Sequence, residues 1–200
     1  MLEIKNLSYT FSNQTTIDKF NLKVKEGEVI GLTGASGLGK TTLAKVIAGY
    51  LLADRGDIEP KQKKKEAHPI QLIWQHPEQA VHPKWRMKRV LNEAGSYSDE
   101  LLEGLQIEKD WLNRYASQLS GGQLQRICIA RCVIAKPQYI IADEITTMLD
   151  PISQAEIWRF LLRFAKKHGV GILAISHDAI LLERLCQKII NIQPYVKQNE

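Results

Sequence analysis

Val29-Ile30-Gly31-Leu32-Thr33-Gly34-Ala35-Ser36-Gly37-Leu38-Gly39-Lys40-Thr41-Thr42 is the stretch that decides the fold. Val29, Ile30 and Leu32 read as a short buried strand, and Leu43, Val46 and Ile47 recur at helical spacing behind the glycines. Between them, Gly34 to Thr41 follows the pattern G-x-x-x-x-G-K-[ST]. Gly34, Gly37 and Gly39 allow the backbone to curl with its N–H groups inward, and the following helix adds the positive end of its dipole. The loop formed by Gly34, Ala35, Ser36, Gly37, Leu38, Gly39, Lys40, Thr41 and Thr42 is therefore a seat for phosphate oxygens. Lys40 can reach terminal phosphates, and the Thr41 hydroxyl suits a hard cation such as magnesium. A chance glycine-rich turn would lack the flanking strand and helix.

Outward from this loop, the chain alternates strands and helices, which predicts an α/β fold with a mostly parallel sheet. Leu2 to Phe11 and Phe20 to Val24 alternate as two strands of an antiparallel layer, with a turn at Ser12 to Gln14. Tyr9 and Phe11 share one side of it, where either could stack on an adenine ring or simply pack in the hairpin. A helix over 40–50 is followed by a turn at 53–57 and a lysine-rich loop at 61–65, then a strand from Ile70 to Trp74 that ends at Gln75. The pattern over 84–117 is helical and polar, and a helical subdomain of about 76–130 is expected within a single domain of 1–200. Ser120-Gly121-Gly122-Gln123 then opens a helix, a second place where backbone N–H groups and a dipole end offer themselves to an anion. Tyr139 to Ala142 reads as a strand buried on both faces. Pro151 starts a further helix with Asp150 as its cap. Strand 170–175 leads into Ser176-His177-Asp178, Ile189-Ile190 reads as a last short strand, and the tail from Gln193 as loose.

Asp143 and Glu144 follow the apolar strand at the edge where open α/β sheets bind ligands. A carboxylate at Asp143 can hold magnesium, and one at Glu144 can act as general base toward water. His177, at another strand end, can bond a terminal phosphate or orient that water.

Composition narrows the class. Hydrophobic residues make up 44%, charged residues 24%, and the formal net charge is +5, ordinary for a soluble globular protein and no argument for nucleic acid. Cys128, Cys132 and Cys186 lack C-x-x-C spacing and read as buried core residues of a reducing compartment. No opening signal segment and no run of membrane-spanning length is found, so any membrane role must come through a partner.

Phosphate loop, Gln75, Leu119-Ser120-Gly121-Gly122-Gln123, Asp143-Glu144, Asp150 and His177, in that order, resemble the ABC ATPase family over nearly the whole chain. The resemblance implies a P-loop NTPase core that binds ATP and Mg2+ and hydrolyses ATP. It implies Phe11 as the adenine platform, Gln75 as a sensor of magnesium and water, and Glu144 with His177 as the hydrolytic pair. Ser120, Gly121, Gly122 and Gln123 would close on the nucleotide of a second ATPase subunit, with Asp150 at that interface. Gln75 to Pro83 is similar to the dipeptide, oligopeptide and nickel importer group, although His82 stands where that group usually has Asn. Ile145 departs from the usual proline, and Thr147-Met148 from the usual small pair. The implied role is that of an importer's energising subunit at the cytoplasmic face of a membrane, beneath a separate permease and with an extracytoplasmic solute-binding protein. A soluble switch of translation or DNA repair is the alternative; such proteins usually carry two ATPase domains or a long coiled coil, absent here. A non-hydrolysing partner subunit is opposed by Glu144, His177 and a full signature.

Overall fold

The computed structural model describes residues 1–12, 15–63, 66–147 and 149–198. The chain opens with a hairpin of β1 (Leu2–Ser12) and β2 (Thr15–Val24), paired so that Leu2 faces Val24 and Ile4 faces Leu22. Alternation puts Leu2, Ile4, Phe20, Leu22 and Val24 on a buried face, which Ile17 rejoins across a break in register. The chain then enters β3 (Val29–Thr33), the glycine loop and α1 (Lys40–Ile47).

The span after α1 departs from expectation. Residues expected as a turn lie partly in β4 (Arg55–Glu59), an edge strand that pairs with β1 through Ile4 and Ile58. Only Ile58 is apolar among its five residues, so no alternation announces it; pairing to β1 forms it. The tail, as far as Gln198, is likewise not loose. Ile192 is fully buried, Tyr195 meets Phe20 edge-on at 5.0 Å, and β9 (Val196–Gln198) pairs with β2. The antiparallel sheet thus has the order β4-β1-β2-β9.

Five parallel strands form the second sheet, in the order β5-β6-β7-β3-β8, with β5 (Ile70–Ile73), β6 (Tyr139–Asp143), β7 (Gly171–Ile175) and β8 (Lys188–Asn191). Every residue of β6 and β7 is buried, as continuous apolar runs in a covered parallel sheet must be. Gly171 opens β7 because a Cβ there would lie 2.6 Å from the Tyr139 ring and 2.7 Å from the Lys25 carbonyl. One face of this sheet and the antiparallel layer enclose α1 in a shared core of Leu43, Val46, Ile141 and Leu173.

The other face carries the helices. The expected helical run over 84–117 resolves into α2 (Met87–Ala94), α3 (Asp99–Gly104) and two short 3-10 turns. Met87, Val90, Leu91, Leu102 and Trp111 pack with Ile127 of α4 (Gly121–Ile134) and with Ile140 and Ile172 of the sheet. α5 (Pro151–His168) and α6 (Ala179–Leu185) complete the covering.

Both α4 cysteines are buried. Burial pushes the Cys128 thiol up to about 12 and Cys132 higher still, while half-buried Cys186 rises to about 11. A thiol reagent at about pH 8 should therefore leave Cys128 and Cys132 unmodified in the native protein and reach them on unfolding. Native labelling of either α4 thiol at the rate of the unfolded chain would show that this face of α4 is not packed as described.

Candidate functional site

The site is assembled where four parallel strands end. β3 runs into the glycine loop, in which Gly34, Gly37 and Gly39 have φ of +153°, +83° and +83°, values that side chains other than hydrogen rarely adopt. A Cβ on Gly34 would also lie 2.6 Å from the Ile192 side chain. Gly39 caps α1, and the next residue, Lys40, is buried. Its Nζ donates to the Gly34 carbonyl at 2.8 Å and the Ala35 carbonyl at 3.0 Å, so the ammonium closes the loop upon itself. A cavity of about 380 Å³ opens over the loop, lined by Ser36, Gly37 and Gly39 to Thr42 on one side and Gln75 and Glu144 on the other.

Asp143 ends β6 beside this loop and is 2% exposed. Its Oδ1 has no hydrogen-bond partner in the structure. Burial pushes the carboxyl above its ordinary range, opposed by the Thr41 hydroxyl and the Lys40 and Lys45 ammoniums. An orphaned, buried carboxylate oxygen next to a hydroxyl is costly alone and well matched to a hard cation.

Glu144 turns the chain sharply, with φ +48°, a left-handed conformation that costs a non-glycine residue about 1–3 kcal/mol. Its N–H donates to the Ile175 carbonyl at 3.0 Å, and the Thr147 hydroxyl donates to its carbonyl at 3.0 Å. Those bonds hold the turn. The carboxylate stands between two neighbours: Oε2 accepts from Gln75 Nε2 at 2.9 Å, and Oε1 lies 3.2 Å from His177 Nδ1. Residues far apart in sequence thus meet on one carboxylate at the mouth of the loop cavity. Ile145, where the resembled family commonly has proline, is buried in the helical-side core.

Ser120 to Gln123 are not brought to that cavity. They form the start of α4, where the Gln123 N–H donates to Ser120 Oγ at 3.2 Å and the Ser120 N–H to Gln123 Oε1 at 3.0 Å, a reciprocal cap. Gly121 has open space where a Cβ would be, whereas one on Gly122 would lie 2.9 Å from Leu149. Asp150 caps α5 as read from the sequence, its Oδ1 accepting from Ile152 and Ser153 N–H groups at 3.0 Å. The Ser153 hydroxyl first, and then these N–H groups, hold its carboxyl below the usual range. Tyr9 is partly buried against the core. Phe11 lies on β1, but its side chain, like Met148, falls outside what the structure describes.

Sequence reading missed the left-handed backbone of Glu144, the Lys40 bridge to two carbonyls, and two residues behind Gln75. Trp74 and Gln125 are joined by a hydrogen bond from the Gln125 amide to the Trp74 carbonyl. The signal for Gln125 was a polar residue on an otherwise apolar face of α4.

The profile of the ABC transporter family matches residues 17–147. The nickel import ATP-binding protein NikE of Escherichia coli (strain K12) is 31% identical, over 94% of this chain and 82% of that protein. Among solved structures, dimeric MJ0796, a bacterial ABC transporter cassette, superposes with a TM-score of 0.81 at 25% identity, over 96% of this chain and 94% of that one. CbiO1 of Clostridium perfringens, part of the ABC transporter complex cbiONQ, gives 0.75 at 25% identity, over 95% and 83%. This chain belongs to the ABC transporter family, among its ATP-binding subunits.

Proposed function

We propose that this subunit hydrolyses ATP at the strand-end cluster and thereby drives solute import through a separate membrane permease. The observation that carries the reading is the Glu144 carboxylate, held by Gln75 and His177 at the mouth of the phosphate-loop cavity. Residues Gly34 to Thr42 bind the triphosphate, and Lys40 exchanges its two main-chain carbonyls for phosphate oxygens. Phe11 supplies the adenine platform. Thr41 and Asp143, with Gln75 beside them, would hold magnesium, and the donor set fits, since the buried Asp143 Oδ1 has no other partner. The bound ion would offset phosphate charge as the terminal bond breaks.

Glu144 takes the proton from the attacking water. Gln75 and His177 fix its side chain and face the terminal phosphate. Ser120, Gly121, Gly122 and Gln123 sit apart from this cavity, so in our reading they serve the nucleotide of a second ATPase subunit, with Asp150 at the seam. The dimeric MJ0796 cassette supports such pairing. The unit is a single ABC ATPase domain over 1–200, with its helical part at about 76–130. No helix among the described residues is long and apolar enough to cross a membrane. By its similarity to an importer's ATP-binding protein we place the subunit at the cytoplasmic face, beneath permease subunits served by an extracytoplasmic binding protein. Similarity to NikE over 94% of the chain favours a nickel or metal-chelate cargo, with peptides the neighbouring class.

Glu144→Gln should bind ATP as wild type does, lose turnover by about 10²–10⁴-fold, and accumulate as an ATP-bound dimer in light scattering. Wild-type turnover in that variant would remove Glu144 from the role of base. Lys40→Ala should weaken ATP binding by about 10- to 100-fold in calorimetry, since it deletes charge-assisted bonds to phosphate. Unchanged affinity would contradict the loop's assignment.

A further inference from the structure

We propose that Gln125 is a positioning residue that couples the helix opened by Ser120 to Gln75, and through Gln75 to Glu144. The inference rests on the reading above, in which Gln75 and Glu144 act in hydrolysis.

The parallel pairing of β5 with β6 ends at Ile73, opposite Ala142. The Trp74 carbonyl therefore lies beyond the sheet, and the peptide unit joining Trp74 to Gln75 takes no orientation from it. That carbonyl accepts instead from Gln125 Nε2, at 3.3 Å. Because a peptide unit is planar, fixing its oxygen fixes the N–H of Gln75 and the direction in which Gln75 leaves the backbone. Gln125 is 3% exposed, so its amide cannot exchange this partner for bulk water without opening the core.

The Trp74 side chain is gripped from another element. Tyr50 meets its ring edge-on at 5.1 Å, and Lys45 of α1 places Nζ 5.0 Å from the ring centroid. The residue before Gln75 is thus held through its ring from the phosphate-loop helix side and through its carbonyl by α4. From there Gln75 Nε2 reaches Glu144 at 2.9 Å.

Arg126, the neighbour of Gln125, makes α4 a stiff lever. It is 8% exposed and donates to the Leu105 carbonyl and the Glu156 carboxylate, each at 3.0 Å. Ser120 caps the same helix. A shift of the Ser120 end when its anion site fills is therefore carried along α4 to Gln125, and the Trp74–Gln75 peptide turns with it. Readiness of Glu144 then depends on whether the distant anion site is engaged.

The test measures kcat and KM for ATP in the full chain for Gln125→Met, which keeps the length but removes the donor. Gln125→Asn keeps an amide but withdraws it by one methylene, and decides the matter if the first variant does not fold. Each is repeated in a Gln75→Ala background, with melting temperature recorded and Glu144→Gln as the control. We expect kcat to fall about tenfold with KM at wild type, the melting temperature to drop by a few degrees equally with and without Gln75, and the fall in kcat to vanish once Gln75 is absent. An unchanged kcat beside an inactive Glu144→Gln overturns the coupling alone. So does a fall that persists undiminished in Gln75→Ala, which would mark Gln125 as structural. A Glu144→Gln control that turns over normally would overturn the hydrolytic reading first, and the coupling with it.

Discussion

Parallel strand pairing is the constraint on which the site depends. β6 lies between β5 and β7, with Ala142 opposite both Ile73 and Ala174, and β3 joins the row through Leu32 and Ile175. That register aligns the strand ends. Gln75, Asp143 with Glu144, His177 and the glycine loop must then leave the sheet along one edge, although they come from widely separated parts of the sequence. In an antiparallel sheet, neighbouring chain exits would alternate between opposite edges. The candidate site is thus a consequence of direction and register before any side chain is chosen.

Around that edge three features stand out. Asp143 keeps a buried oxygen without a partner, Glu144 holds a left-handed backbone, and Lys40 spends its ammonium on two carbonyls of its own loop. The first two are costly locally, at about 1–3 kcal/mol for a strained φ or an unsatisfied buried group. The covered sheet and two continuous cores hold them in place. In the proposed function, a magnesium-bound triphosphate would give the Asp143 oxygen a partner and draw Lys40 off its two carbonyls. The strained turn at Glu144 is fastened to β7 through the Ile175 carbonyl.

Much of this could be read from the sequence where the signal is local. The strand–loop–helix at 29–47, the Asp150 cap with Pro151, and the helix opened by Ser120 to Gln123 are determined by neighbours in sequence, and the structure contains them all. The misses share the opposite property. β4 carries no alternation and exists because it lies against β1, and β9 exists because Val196 meets Ile17 across nearly the whole chain. In the site, residue types at strand ends were legible, but the bonds among Gln75, Glu144 and His177 depend on register and on a φ that sequence does not display. Gln125 escaped notice because one polar residue on a buried helix gives no hint of the carbonyl it reaches.

A crystal structure of the protein with Mg2+ and a non-hydrolysable ATP analogue tests the central claim most directly. The account predicts the triphosphate in the Gly34–Thr42 loop, Lys40 moved off the Gly34 and Ala35 carbonyls onto phosphate oxygens, and Glu144 still facing the terminal phosphate between Gln75 and His177. Nucleotide bound elsewhere, with Lys40 retaining its 2.8 Å and 3.0 Å bonds to the loop, would contradict it.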